Sequence, residues 1–174
     1  DVQEVNITND APDVFPLGET IVTWTVTDQS GNMSNEIQNV SVVDTTKPNL
    51  EVPNDVEIEA SGIETVIDDL GDSIAEDKIG ISSITNDAPE FFPLGETIVT
   101  WTATDTSGNS VSDTQSIIIE DTIKPLITGP ENITLEITDV SGMTVDIGNA
   151  FALDQVDRNP KITNDEPELF QLGN

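Results

Sequence analysis

The 174-residue chain carries 34 acidic and 5 basic residues, a net charge of −29 with a pI near 4.1, and it has no Cys, His or Tyr. Without thiols or imidazoles there is no disulfide scaffold, no Cys or His metal site, and no Ser–His or Cys–His nucleophile pair. The charge argues against polyanionic partners such as nucleic acid or an anionic membrane, no apolar run approaches the roughly 18 residues a bilayer span needs, and no signal peptide is visible, so a mature or internal segment is expected.

Along the chain the first ordered feature is a repeat. Ile7-Thr8-Asn9-Asp10-Ala11-Pro12 returns as Ile84-Thr85-Asn86-Asp87-Ala88-Pro89, 77 positions on, and as Ile162-Thr163-Asn164-Asp165-Glu166-Pro167, 78 positions further. Phe15 to Thr25 returns as Phe92 to Thr102, and Asp44-Thr45-Thr46-Lys47-Pro48 as Asp121-Thr122-Ile123-Lys124-Pro125. Proline fixes φ and suits a join between units, so the Asp-Thr-X-Lys-Pro segments mark the boundaries. Residues 47–123 are then one complete repeat of about 77 residues. Residues 1–46 are the C-terminal part of a preceding one, and residues 124–174 the N-terminal part of a following one.

The complete repeat reads as β throughout. Val56 to Ala60 alternates apolar and acidic residues, the period of a strand with one wet face. Thr65 to Asp68 and Gly80 to Thr85 are further short candidates. Glu96 to Thr104 is the clearest, with Val99, Trp101 and Ala103 on one face and Thr100, Thr102 and Thr104 on the other. Thr106-Ser107-Gly108-Asn109 suits a hairpin loop, with Gly and Asn available for positive φ. Ser110 to Glu120 is the return strand, with Ile117 and Ile119 facing inward. Short strands punctuated by turn residues predict an all-β fold of tandem immunoglobulin-like sandwiches. Trp24 and Trp101 share one register and are both expected to anchor cores.

The run from Phe92 to Asn109, followed by Asp121-Thr122-Ile123-Lys124-Pro125, resembles the hyalin-repeat (HYR) module, and the resemblance covers the whole chain. Trp101 stands where many members carry Cys, and Lys47 and Lys124 stand where the family often has a first Pro. The Cys-free, acid-rich version is similar to repeats of large prokaryotic surface proteins, including S-layer proteins of ammonia-oxidising marine archaea. The resemblance implies an extracellular adhesion or scaffold role and no catalysis.

Carboxylates are the only chemistry in quantity. Pairs such as Asp68/Asp69 and Glu120/Asp121 have no cationic partner or aromatic lining beside them in the sequence, so no enzyme is expected. Hard oxygen ligands suit Ca²⁺. In an immunoglobulin-like sandwich the hairpin before the last strand lies at the pole where the chain enters. That brings Asp105 toward the linker residue Asp44, and Asp77 joins them if Glu76-Asp77-Lys78 is a loop at the same pole. Asp121 and Asp154 would serve the next join. The competing reading is that Asp28 and Asp105 cap turns and that Asp44 and Asp121 punctuate linkers. No cofactor is required on either reading, and Ca²⁺ is the ion that the first reading would take. Four glycosylation sequons begin at Asn6, Asn32, Asn39 and Asn132. They do not repeat in register, as Ser83 and Ser116 replace Asn6 and Asn39.

Residues 124–155 joined to residues 1–46 of a neighbour would make one repeat, which raises the idea of head-to-tail strand donation. Residues 156–174 duplicate the register of residues 1–19, and two copies cannot occupy one strand position. This favours a window cut from a longer array. The expected function is a structural segment of an extracellular cell-surface protein, in a surface layer, stalk or filament. Its expected partners are neighbouring copies or repeats and cations. The alternative is a calcium-stiffened adhesin arm.

Overall fold

The computed structural model describes residues 5–136, 142–167 and 170, and every regular element in them is a β-strand. Strands β1 (Asn6–Asn9), β2 (Gly18–Thr27) and β3 (Met33–Val42) form an antiparallel sheet in that order, with β2 and β3 paired from Gly18↔Val42 to Thr27↔Met33. Next come β4 (Asn49–Glu51), β5 (Val56–Glu59), β6 (Glu64–Thr65), β7 (Ile74–Glu76), β8 (Ile81–Asn86), β9 (Phe92–Pro93), β10 (Gly95–Asp105) and β11 (Ser110–Glu120). Four of them make a sheet in the order β5-β11-β10-β8, while β4 pairs with β7 and β6 with β9. Strands β12 (Leu126–Thr128) and β13 (Phe151–Leu153) form an antiparallel pair.

The sequence repeat is also a repeat of pairing. β12–β13 stands 77 residues after β4–β7 at both ends of both strands. The Met143–Phe170 bridge stands 78 residues after Thr65–Phe92. A Cβ on Gly71 would sit 3.0 Å from Pro53 Cβ, and one on Gly148 would sit 3.2 Å from Pro130 Cβ, so the same close approach recurs at positions 77 apart. By compactness the described residues fall into two units, one of residues 5–50, 75–84 and 102–111, and one of residues 51–74, 85–101, 112–136, 142–167 and 170. The first unit holds the β1–β2–β3 sheet, the loop after β7 and the β10–β11 turn. The second holds β5, β6, β9, Trp101 and the β12–β13 pair.

Strand alternation decides what is buried. Val99, Ala103, Ile117 and Ile119 are fully buried and Trp101 is 7% exposed, while Thr100, Thr102 and Thr104 are half-buried on the opposite face. Trp101 Nε1 donates to Gln115 Oε1 at 3.1 Å. Gln115 is wholly buried, and its amide donates to the carbonyls of Asn54 at 2.7 Å and Leu70 at 3.0 Å. A buried amide satisfied on both sides locks this part of the core to one geometry.

Several expectations are corrected. Trp24 is 40% exposed among these 174 residues rather than buried, although its Nε1 donates to Gln38 Oε1 at 3.0 Å just as Trp101 does to Gln115. Gln115 is capped by the carbonyls of Asn54 and Leu70, and among the described residues Gln38 has no cap of that kind. The strand expected over Thr65 to Asp68 is only Glu64–Thr65, because Val66 turns outward and Asp69 Oδ1 accepts Gly71 N at 2.8 Å in a turn. Glu76 ends a strand rather than opening a loop. In the 106–109 turn only Gly108 takes positive φ (91°), and no non-glycine residue does among those described.

Candidate functional site

The site begins with a turn. β10 runs inward-outward to its last residue, so Asp105 falls on the buried face and is 1% exposed. A lone buried carboxylate is costly, and the turn supplies its partners. Asp105 Oδ1 accepts Ser107 N and Asn109 N, each at 2.8 Å, and Oδ2 accepts Asn109 Nδ2 at 2.8 Å. Burial pushes the Asp105 carboxyl up. The Asn109 side chain and the N–H groups of Asn109, Ser107 and Gly108 outweigh it and hold the group below the ordinary carboxylate range. Asp28 makes the same turn 77 residues earlier, bonded by Ser30 N, Asn32 N and Asn32 Nδ2, and its carboxyl is lowered chiefly by the Asn32 side chain.

Two further segments meet this turn. Asn109 Nδ2 also donates to the Asp44 carbonyl at 3.2 Å, which ties the hairpin to the linker after β3. Thr106 N donates to the Gly80 carbonyl at 3.0 Å, which ties it to the loop after β7. Within that loop Asp77 Oδ1 accepts Ile79 N at 2.7 Å and Gly80 N at 3.4 Å. Asp44 Oδ1 accepts Thr46 N at 3.0 Å. Each aspartate is thus oriented by its own backbone.

As a result Asp44, Asp77 and Asp105 each offer a carboxylate oxygen, and these oxygens lie within 4.8 Å of one another. Asp44 Oδ2 is buried and has no hydrogen-bond partner. Three negative groups this close repel one another, and an unpartnered buried carboxylate oxygen adds a desolvation cost. A divalent cation coordinated by hard oxygens would relieve both.

Asp154 Oδ1 accepts Val156 N at 2.8 Å and Asp157 N at 2.7 Å, the same turn that Asp77 makes 77 residues earlier. Asp121 is exposed, and neither it nor Asp154 belongs to a group of three carboxylates among the described residues. Asn6, Asn39 and Asn132 are exposed. Asn32 is exposed too, but its amide nitrogen donates to Asp28 Oδ2 at 2.8 Å, which engages the atom a glycan would need. Sequence reading missed Asn109 and Gln115. The signal for both was in the repeat, where Asn32 and Gln38 hold the equivalent positions.

Residues 43–119 match the HYR domain. The chain is 36% identical over 158 residues to hyalin of Strongylocentrotus purpuratus, a match that covers 82% of this chain and 13% of that protein. It is 40% identical over 133 residues to hyalin of Lytechinus variegatus, covering 68% of this chain and 24% of that protein. A third relative is the sushi, von Willebrand factor type A, EGF and pentraxin domain-containing protein 1 of Rattus norvegicus, 32% identical over 114 residues, 63% of this chain and 3% of that protein. The chain therefore spans a small part of the length of the relatives it matches.

Proposed function

We propose, from the premise that residues 43–119 match the HYR domain and that the fold is immunoglobulin-like, that the chain is a structural segment of an extracellular cell-surface protein, built of tandem repeats and serving adhesion or spacing rather than catalysis. The observation that carries the reading is the way consecutive repeats are joined. The linker at Asp44 is hydrogen-bonded by Asn109 of the next repeat's hairpin, and this gives a defined connection where a free hinge would be the default. The likeness to two hyalins supports the adhesive or structural class. These relatives are animal proteins and lend nothing to the prokaryotic surface-layer context that the resemblance implied. Surface layer, stalk and filament remain forms of one proposal. An antibody against this segment should label intact cells of the source organism. Labelling that appears only after permeabilisation would overturn the extracellular reading.

A second reading, a calcium-stiffened adhesin arm, is favoured by the unpartnered Asp44 Oδ2 beside Asp77 and Asp105. Three carboxylates from the protein, with water completing the shell, suit the weak extracellular class of sites, on the order of 10⁻⁴–10⁻³ M. Millimolar Ca²⁺ should raise the melting temperature saturably, and Asp77→Asn should abolish the rise. A melting temperature indifferent to Ca²⁺ and chelator would remove this reading and leave the first standing.

A further inference from the structure

We infer that the β5–β11 seam is a shear clamp that resists tension applied through the two ends of the repeat; the inference rests on the structural reading above. β5 is the second strand of the repeat and β11 its last, and they pair in parallel: Val56 lies opposite Ile117, Glu57 opposite Ile118, Ile58 opposite Ile119, and Glu59 opposite Glu120. Parallel pairing decides how force acts. Tension in a tandem array pulls the start of β5 backward along its axis and the end of β11 forward along the same axis. The two strands are then sheared, and all the bonds between them are loaded together. In an antiparallel hairpin pulled at its open end, bonds break one at a time.

The seam is reinforced beyond its ladder. Ser116 N donates to Asp55 Oδ1 at 2.8 Å at one end, and Ala60 N donates to the Glu120 carbonyl at 2.7 Å at the other. Past the last paired residue, Glu59 accepts Thr122 N at 2.9 Å and Thr122 Oγ1 at 2.6 Å. Gln115, locked in the core, donates to the Asn54 carbonyl just ahead of β5. Bonds to a carboxylate are among the stronger hydrogen bonds, and here they sit at the exit end of β11, where the load enters. Ile117 and Ile119 are fully buried, so sliding the strands by one residue would turn both outward. Tension arriving at residue 47 meets β4 first, but that strand is only three residues long, so the load passes on to β5.

Single-molecule pulling of the full chain tests the clamp, because forced unfolding reads the unfolding rate rather than equilibrium stability. Glu59→Gln combined with Thr122→Ala should speed unfolding at a fixed end-to-end force about tenfold, as expected for losing bonds to a charged group in the loaded seam. Thr104→Ala, which removes the 3.0 Å Thr104–Ser110 contact between β10 and β11, should leave the rate at that force within about twofold. The chain has no Cys, so Leu94→Cys with Asp121→Cys gives unique handles at two exposed positions beside the open end of the β10–β11 hairpin. Pulled there, the same fold should yield at a lower force than when it is pulled through its ends. Equal forces in the two directions, or equal sensitivity to the seam and hairpin variants, would overturn the clamp. Neither result bears on whether the protein is displayed outside the cell, which the labelling experiment decides.

Discussion

Two tryptophans in identical local sequence differ in exposure within these 174 residues. Thr-Trp-Thr at 23–25 and at 100–102 alternates in the same way, and each indole N–H finds a glutamine on the neighbouring strand. What differs is the layer above. Gln115 is covered by residues 54–70, and Trp101 is buried with it, whereas Trp24 keeps 40% of its surface in water. The energetic consequence is large, because removing a buried aromatic leaves a cavity. Trp101→Ala should cost about 3–5 kcal/mol in equilibrium urea denaturation, and Trp24→Ala about 1 kcal/mol, mostly its hydrogen bond. Comparable losses at both sites would contradict the burial difference. The buried face of β10 was legible in the residue pattern, since Val99, Trp101 and Ala103 follow the two-residue period. The exposure of Trp24 was not, because a pattern shows which face is apolar and not whether anything covers it.

At the level of the element, the β10–β11 turn joins structure to charge. Asp105 is both a turn residue and a member of the carboxylate group, and the two readings weighed against each other from sequence are compatible. Its Oδ1 bonds to Ser107 N and Asn109 N set the turn, and the turn presents the carboxyl beside Asp44 and Asp77. Because the folded-state carboxyl is more acidic than the unfolded one, with its ordinary value of 3.8, its contribution to stability is complete above that pH. It is lost as pH falls through the lower folded-state value. The stability gap between the wild type and Asp105→Asn should therefore be constant from neutral pH down to about 4 and should close below it. A gap that widened in acid would show that the carboxyl is held above its ordinary value. Taking the difference between two proteins of nearly equal charge removes the general relief of repulsion that acid brings to a chain of net charge −29.

For the whole molecule, the sequence by itself determined the strand class, the period of about 77 residues and the positions of the turns. These depend on local rules: alternation along a strand, proline at joins, and Asp, Asn and Gly where the backbone must bend. Self-similarity carried the reading further than any single segment, and the structure repeats it in β4–β7 and β12–β13 and in the two close glycine–proline contacts. Asp44, Asp77 and Asp105 could be named as candidates because a sandwich has two poles and chain direction assigns loops to them. Only the tertiary structure decided that their oxygens approach within 4.8 Å, that Asp44 Oδ2 is left without a partner, and that Asn109 bridges the hairpin to the linker. It alone decided that β5 lies parallel to β11, and that the short pairs β4–β7 and β6–β9 exist at all. The physical reason is common to all of these. They are contacts between residues more than 20 and up to 65 positions apart, and two- or three-residue strands carry no period of their own. Their formation depends on what the rest of the chain packs beside them, which no local pattern records.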